Sequence, residues 1–481
     1  MSVSTLERLA GADRAWLLME RPTNLMVVVG LIVLEERLDR SRCRDLIATR
    51  FLVHQRFRCV PVADALGARW VEAEQFDIDD HIAWVALPEP GTQCELQALL
   101  GELAGTPFNP GRPLWTFHVV ERYRGGSAII VRIHHCYADG VALVRVLLSL
   151  TDEGGAVAQR ASAALSADGH PHTLVELMPL PVAAALRGAT DLIGAGLGYL
   201  LHPTQAAAAA GEALAYSGEL LHIAALADDP PTCLKRPLSG ARRAAWAEPF
   251  SLTEVHTIAH VLGCTINDVL LSTLAGALGG YLAAQGDEVT NLKIRAVVPV
   301  NLRAEDEPPT LGNRFGLVFV ELPIGLPHPL ERLCAVHTAM HNLKGSAQAA
   351  ATFGMLSIIG TLPSQMAEPT TALYSAKASL VVSNLPGPRE ALHLAGAEIR
   401  QVLFWVPEAG SIGTGVSILT YRDDVQFGVI SDREMIREPD QLVARIGAEF
   451  ERLVYLVLLG GASFLENAAA SECAAEPDRG A

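Results

Sequence analysis

Two adjacent histidines and an aspartate form the part of this sequence best suited to chemistry. His134 and His135 follow a β-branched run, and Asp139 and Gly140 come after three intervening residues. A neutral imidazole near its ordinary pKa accepts a proton from a hydroxyl and returns it to a leaving group. Because side chains alternate across a strand, only one histidine faces a shared cleft. We take His135 as the general base, with His134 facing away, and expect acyl transfer to a hydroxyl or an amine.

The flanking elements would hold this segment at the end of a strand. The run Ala128–Val131 predicts a strand before it, and the apolar stretch Val141–Leu150 predicts a helix after it. Asp139 is a helix-capping residue type, and Gly140 gives the turn a flexible position. In this arrangement Asp139 fixes the loop or the tautomer of the histidine and does not itself take the proton.

Two other interpretations of the segment stay open at this level. In the first, Asp139 only caps the following helix, and the histidines are hydrogen-bonded residues of a turn. In the second, Cys136 is a nucleophile paired with a histidine, although no neighbouring residue would specifically lower the pKa of its thiol. The local residue types do not separate these interpretations from general-base catalysis.

Composition limits the class of protein. The chain has 481 residues, half of them apolar. Its length predicts two domains rather than one. A formal net charge of -16 argues against a nucleic-acid partner, since phosphate contacts need clustered cations. The eight cysteines form no CxxC pair and no zinc-ligand spacing, and the first twenty residues lack the apolar core of a signal peptide. We therefore expect a reduced, cytoplasmic protein without a metal.

Strand-like and helix-like segments alternate irregularly along the chain, which favours an α/β protein with mixed sheets. We expect an N-terminal half at 1–155, a helical connector at 156–235, a C-terminal half at 236–465 and a disordered tail at 466–481. The apolar region 177–226 is interrupted by proline and by charges, so it cannot cross a membrane as one helix. It either packs on the protein or contacts a membrane or lipid droplet.

Several segments resemble one family. The stretch from His134 to Gly140 is similar to the HHxxxDG motif of the bacterial wax ester synthase/acyl-CoA:diacylglycerol acyltransferase family. Other family-like segments are Asn109–Trp115, Thr265–Val269, Val298–Arg303, Leu311–Gly316 and Ser383–Pro388. Together they cover residues 10 to 460 in the expected order, which is far more specific than any one segment. The resemblance implies two chloramphenicol acetyltransferase-like domains, each a mixed sheet with helices, joined by a helical connector.

The resemblance also implies an activity. A long-chain acyl group would pass from acyl-CoA to a fatty alcohol or diacylglycerol, giving a wax ester or triacylglycerol and free CoA. His135 would deprotonate the acceptor hydroxyl, which attacks the thioester directly, so no metal, cofactor or covalent enzyme intermediate is required. Two alternatives are a condensation-type or polyketide-linked acyltransferase of the same fold, and a non-catalytic protein that binds lipid droplets.

Two parts of the chain depart from the family pattern. Residues 6–26 match its start only loosely, and Cys136, Tyr137 and Ala138 stand where the family more often has smaller or aliphatic residues. We expect the side chains of Cys136 and Tyr137 to lie at the reacting centre and to influence which substrate is preferred.

The Asn267-Asp268 pair has two separable roles. Thr265 and Asp268 have the spacing of a capping box at the start of an apolar helix, which explains Asp268 structurally. Asn267 has no such structural role, and its amide would stabilise an oxyanion or orient a substrate. The resemblance implies that the pair belongs to the active site.

Further residues of the matching segments also have two interpretations. Trp115 is either an aromatic of the core or of the seam between domains, or a residue that supports the site, as the resemblance implies. Ser383 and Asn384 fit either a turn or the lining of a cleft.

A cation is expected beside Asp139, because a buried carboxylate needs a partner. Arg295 and Arg303 flank a predicted strand in the other half of the chain. We expect one of the two arginines to supply that charge across the interface between the halves.

Overall fold

The computed structural model describes residues 5–64, 67–154, 215–303, 310–343 and 346–460. Most of the predicted connector at 156–235, and the predicted tail at 466–481, lie outside the described residues. The described residues form helices and three β-sheets, which confirms the α/β class with mixed sheets.

The strands are β1 Thr5–Arg8, β2 Val27–Leu34, β3 Cys59–Asp64, β4 Gly67–Glu72, β5 Ile82–Val85, β6 Trp115–Tyr123, β7 Gly126–His134, β8 Arg242–Trp246, β9 Phe250–Ser251, β10 Ile294–Asn301, β11 Phe315–Leu322, β12 Leu380–Pro386, β13 His393–Leu394, β14 Ala397–Trp405, β15 Thr414–Tyr421 and β16 Asp424–Asp432. The α-helices are α1 Gly11–Met19, α2 Arg40–Leu46, α3 Gln93–Ala104, α4 Gly140–Ser149, α5 Leu252–Leu262, α6 Ile266–Ala284, α7 Pro329–Leu343, α8 Gln348–Ile359, α9 Ser364–Ser375 and α10 Pro439–Leu458, and a further helix covers 215–225.

The two-histidine segment ends a central strand of a six-stranded sheet. The strand order in this sheet is β13-β14-β2-β7-β6-β5. Every residue of β2 and β7 is buried, which explains their continuous apolar runs. The pairing is mixed, since β5 and β6 run parallel while β2, β7 and β6 are antiparallel. A separate three-stranded sheet, with order β1-β4-β3, belongs to the same part of the chain.

A seven-stranded sheet forms the core of the C-terminal half. Its strand order is β11-β10-β12-β15-β16-β8, and β9 also pairs with β16. Helix α6 packs in this core. Within the described ranges it is the one helix long and apolar enough to cross a membrane, but 89% of the tested window is buried inside the protein. Its apolar character is therefore that of a core helix.

The two halves of the sequence are joined by strand pairing and by side-chain packing between the two large sheets. Strand β14, from the C-terminal half of the sequence, pairs with β2 and so completes the N-terminal sheet. Trp405 at the end of β14 packs so closely on β16 that a Cβ at Gly428 would lie 2.5 Å from its ring, so only glycine fits there. The domain boundaries given by the sequence stay predictions, and β14 links the C-terminal half of the sequence to the N-terminal sheet.

Ser383 and Asn384 lie within a strand and not in a turn. Strand β12 runs from Leu380 to Pro386, and its pairing with β15 stays in register from Val381 to Pro386. The turn interpretation of these two residues is wrong.

Candidate active site

His135 lies on the wall of an apolar cavity at the junction of the two halves. The cavity encloses about 110 Å³, and residues from both halves of the sequence line it. The His135 backbone N–H donates to the Met26 carbonyl at 2.8 Å, which holds the turn against the start of β2. The ring of Trp16 stacks on the imidazole with centroids 4.0 Å apart, and Phe315 lies at 5.6 Å. The imidazole therefore packs against two neighbouring aromatic rings at the cavity wall.

The surroundings of His135 keep its ring neutral. The residue is 2% exposed, and this burial lowers its pKa to about 4, although the nearby Asp139 carboxylate acts in the opposite direction. Its Nδ1 atom has no hydrogen-bond partner among the described residues. A ring in this state is unprotonated at neutral pH and is able to accept a proton.

Asp139 holds the loop and does not hydrogen-bond to the histidine ring. One carboxylate oxygen accepts from the Ala142 backbone N–H at 2.9 Å, which caps helix α4. The other accepts from the Arg314 backbone N–H at 2.9 Å and from the Arg303 guanidinium. Both oxygens are thus occupied, so Asp139 fixes the loop and not the tautomer of His135.

Arg303 is the cation that Asp139 needs. Both side chains are buried, and the guanidinium also donates to the Gly312 carbonyl at 2.6 Å. Gly312 has φ +115, a backbone conformation that favours glycine. Arg295 lies elsewhere and pairs with Asp229 at 3.4 Å. Of the two arginines expected from the sequence, the structure therefore selects Arg303.

His134 lies outside the cavity lining. Its Nδ1 accepts from the Cys136 backbone N–H at 3.1 Å, and its Nε2 lies 2.9 Å from a Glu20 carboxylate oxygen. An acceptor role for Nδ1 leaves the proton on Nε2, where it donates to Glu20. Burial acts to raise the pKa of Glu20, but the hydrogen bond and charge interaction with His134 outweigh it and lower that pKa. His134 therefore ties the turn to the residue that follows α1.

Cys136 and Tyr137 do not lie at the reacting centre, so that expectation is wrong. Both are fully buried, and neither lines the cavity. The Tyr137 hydroxyl donates to the Cys59 carbonyl at 2.6 Å and accepts from the Leu114 backbone N–H at 3.0 Å. Burial raises the pKa of the Cys136 thiol well above its ordinary value, which disfavours a thiolate nucleophile.

Asn267 and Asp268 have different contacts, and Asp268 has the capping role that its spacing predicts. Asp268 and Thr265 form a reciprocal capping box at the start of α6, with hydrogen bonds of 2.9 and 3.2 Å. The same carboxylate accepts from His337 at 2.8 Å. Asn267 is buried, and its side-chain oxygen accepts from the amide of Asn384.

Ser383 and Asn384 line the same cavity as His135, whereas Asn267 is absent from the lining. The structure therefore brings Asn384 to the cavity directly and connects Asn267 to the cavity through Asn384.

Trp115 and Gly140 have local structural roles. Trp115 is fully buried outside the cavity, donates to the Phe57 carbonyl at 2.7 Å and stacks on His81. Gly140 lines the cavity as the first residue of α4. A Cβ at this position would lie 3.5 Å from Phe404 and from Val406, an ordinary contact distance. Gly140 is the first residue of a helix and has no positive φ, so its backbone conformation here does not require glycine.

Three residues near the base were not identified from the sequence. They are Asp13 and Trp16 on α1, and Asn313. The segment Leu311–Gly316 resembles the family and contains Asn313, but the resemblance by itself implies no role for that side chain. Asp13 and Trp16 lie within residues 6–26, which match the family pattern only loosely. The signal for Asp13 is that it is a single acidic residue on the apolar side of a short helix.

Comparison with known proteins gives two successive matches along the chain. The family profile described as wax ester synthase/diacylglycerol acyltransferase catalytic domain matches residues 9–270. The profile described as WS/DGAT C-terminal domain matches residues 311–454.

Similar curated proteins come from mycobacteria. A putative diacylglycerol O-acyltransferase of Mycobacterium bovis is 29% identical over 416 residues, covering 84% of this chain and 85% of that protein. The probable diacylglycerol O-acyltransferase tgs1 of Mycobacterium tuberculosis has the same identity and coverage.

Solved structures share the fold. The wax ester synthase/diacylglycerol acyltransferase from Marinobacter aquaeolei VT8 superposes with a TM-score of 0.63 at 20% identity, covering 93% of this chain and 98% of that one. The first condensation domain of the CDA synthetase superposes with a TM-score of 0.58 at 14% identity, covering 94% and 96% of the two chains. Because the two family profiles cover most of the sequence, this chain belongs to the wax ester synthase/diacylglycerol acyltransferase family.

Proposed function

We propose that this acyl-CoA-dependent O-acyltransferase moves a long-chain acyl group to a fatty alcohol or diacylglycerol, with His135 as the general base. One observation carries the proposal: a buried, neutral imidazole lies on the wall of an apolar cavity that both halves line. The apolar lining of the cavity suits contact with a long-chain substrate, and a neutral ring suits proton abstraction from a hydroxyl.

The proposed reaction is a direct displacement at the thioester. His135 takes the proton of the acceptor hydroxyl as its oxygen bonds to the carbonyl carbon. The carbon–sulfur bond then breaks, and the CoA thiolate receives that proton from the imidazolium. The amide of Asn384, which lines the cavity, donates to the oxyanion, while Asn267 orients that amide.

We also propose that one face of the protein meets a lipid surface. Helices α8 and α9 line the cavity, and the 215–225 helix hydrogen-bonds to both of them. These three helices expose Ile358, Met366, Leu373 and Leu221. Helix α8 has no charged residue. A water-insoluble acceptor would reach the cavity across this face. The sequence-based placement in the cytoplasm stays a prediction.

The catalytic part of this proposal is tested by His135→Ala in a thiol-release assay with palmitoyl-CoA and a panel of long-chain alcohols and diacylglycerol. Loss of a general base lowers turnover by about 10²–10⁴-fold. The matched control is His118→Gln, because burial lowers the pKa of His118 to about 4 as well, but that residue lies outside the cavity lining. Activity of His135→Ala within about tenfold of the unmodified enzyme would contradict the proposal.

The pH profile is an independent test. Protonated His135 accepts no proton, so kcat/KM falls only as the pH approaches the lowered pKa of about 4. We expect a constant value from neutral pH to about pH 5. An acid limb centred near the ordinary histidine value of about 6.5 would show that the base is a different or more exposed group.

The lipid-facing part is tested by flotation with neutral-lipid vesicles. Ile358→Glu and Met366→Glu together place two charges on the face and should lower the bound fraction several-fold. Val53→Glu is the control, since Val53 is also exposed but lies on another part of the surface. Equal flotation of both proteins would remove this face from the proposal.

A further inference from the structure

Helix α1 contacts the proposed base in two ways. Asp13 and Trp16 are three residues apart, so both side chains lie on the same side of the helix. The Trp16 ring covers the imidazole of His135, with an interplanar angle of 22° and a centroid distance of 4.0 Å. Trp16 is 4% exposed and also lines the cavity. The indole thus closes one face of the imidazole ring.

The second contact runs through Asn313 to the backbone of the base. The Asn313 amide donates to the His135 carbonyl at 2.8 Å and to the Asp13 carboxylate at 2.9 Å. The Asn313 backbone N–H donates to the same Asp13 oxygen at 2.7 Å. Asp13 is 1% exposed. One buried carboxylate therefore fixes the amide that holds the backbone of His135.

The helix itself is held closely against α8. A Cβ at Gly11 would lie 2.4 Å from the Ser357 carbonyl oxygen, and a Cβ at Gly360 would lie 1.7 Å from the Gly11 carbonyl oxygen. Arg14 donates to the Gly360 carbonyl. Because the backbones meet at this point, α1 has little freedom to move away from the base.

We propose that α1 is a positioning element for His135, in which Trp16 orients the ring and keeps water from it while Asp13, through Asn313, fixes its backbone. This inference rests on the proposed function of His135 as the base. It concerns residues that act through the base, so the tests use readouts that a purely structural role would not change.

Loss of the indole has a defined electrostatic consequence. Burial is the largest influence on the pKa of His135, so water admitted beside the ring would raise that pKa from about 4 toward its ordinary value. The indole face attracts a cation, but the lowered pKa shows that burial dominates. The charged and titratable groups nearest the ring remain unchanged in Trp16 variants. They are Asp139 and His134 in the turn, Asp13 and Glu20 on the α1 side, and Arg56, Arg303 and Arg314.

The first test is the pH dependence of kcat/KM for Trp16→Ala and Trp16→Leu. We expect the acid limb to move up by about one pH unit or more in Trp16→Ala, and by less in Trp16→Leu, where more of the volume stays filled. Trp16→Leu also serves if Trp16→Ala does not fold. Trp246→Ala is the matched control, because Trp246 is a buried tryptophan outside the cavity lining. An acid limb that is the same in all four proteins would overturn the role of Trp16.

A second readout does not depend on catalysis. Diethyl pyrocarbonate modifies accessible neutral imidazoles, and peptide mass spectrometry measures the rate at His135. We expect faster modification in Trp16→Leu and an unchanged rate in Trp246→Ala. Unchanged labelling, together with an unchanged acid limb, would remove the positioning role even if His135→Ala proves inactive. Retained activity of His135→Ala would instead remove the proposed base.

The Asp13 contact is tested by comparing Asp13→Ala with Asp13→Asn. The Asn313 donors keep an acceptor in Asp13→Asn and lose it in Asp13→Ala. Asp13 does not line the cavity, so we expect Asp13→Ala to lower kcat by about tenfold with KM unchanged, and Asp13→Asn to recover most of that loss. Equal kcat in both variants and the unmodified enzyme would overturn the role of Asp13.

Discussion

The turn at His134–Gly140 and the turn at Thr265–Asp268 each place a buried aspartate at the start of a helix, but the partners of the two aspartates differ. Asp268 completes a capping box within its own helix and accepts from His337 of α7, in the same half of the chain. Asp139 caps α4 and pairs with Arg303, across the junction of the halves. Both aspartates therefore cap a helix, but only Asp139 also links the two halves of the chain, because its cation comes from the other half.

This contrast has an energetic side. Removing one partner of a buried ion pair leaves an uncompensated charge and costs about 3–5 kcal/mol. Removing a helix cap costs about 0.5–2 kcal/mol. The two turns should therefore respond very differently to similar substitutions.

The largest effect is expected for Arg303→Met. It leaves the Asp139 carboxylate buried without its cation and should lower the free energy of unfolding by about 3–5 kcal/mol. Displacement of the turn that carries His135 should lower kcat/KM by about 10²-fold. Urea unfolding and thiol release measure the two quantities.

The control for Arg303→Met is the double variant Asp139→Asn/Arg303→Met, which keeps a capping side chain and removes the charge. It should regain most of the stability. If Arg303→Met alone unfolds within about 1 kcal/mol of the unmodified protein, the junction pair contributes no more than a cap.

The next effect concerns the amides beside Asp268. Asn384→Ala removes a donor that lines the cavity and should lower kcat by about 10²-fold. Asn267→Ala removes the group that orients this donor and should lower kcat by about tenfold. If Asn267 acts through Asn384, the double variant is no slower than Asn384→Ala alone.

Asn109→Ala, which alters an exposed asparagine of a loop, is the control for the amide series. Additive losses in the double variant would show that Asn267 touches the reacting atoms independently.

A smaller effect is expected for Asp268→Ala. Loss of the capping box should lower the free energy of unfolding by about 1 kcal/mol while kcat/KM stays within about threefold. Thermal unfolding and thiol release measure the two quantities, with Asp139→Ala as the comparison. That variant should lose both stability and kcat/KM. A hundredfold loss of kcat/KM in folded Asp268→Ala would place that carboxylate in the chemistry and end the contrast between the turns.

The smallest effect is expected within the first turn, for Cys136→Ala. Its thiol is buried with a raised pKa and lies outside the cavity, so turnover should stay within about twofold of that of the unmodified enzyme. The measurement is thiol release at saturating palmitoyl-CoA, with His135→Ala as the inactive reference. A loss comparable to that of His135→Ala would revive the nucleophile interpretation.

Predictions from sequence succeeded where a local pattern decides the structure. The β-branched run Ala128–Val131 predicts a strand, and it lies within β7, whose residues are all buried. The capping box of Asp268 also follows from spacing alone. Strand β14 was not predicted, since its residues are mixed in polarity and it forms by pairing with β2, far away in the chain.

By itself, the sequence determined the family, the identity of the candidate base and the need of Asp139 for a cation, because each depends on residue types at fixed spacing. Only the tertiary structure decided that Arg303 supplies that cation, that Tyr137 points into the core and that Trp16 covers the imidazole. These outcomes depend on which side chains meet across the junction of two sheets. Contacts between distant segments leave no periodic signal in the chain that forms them.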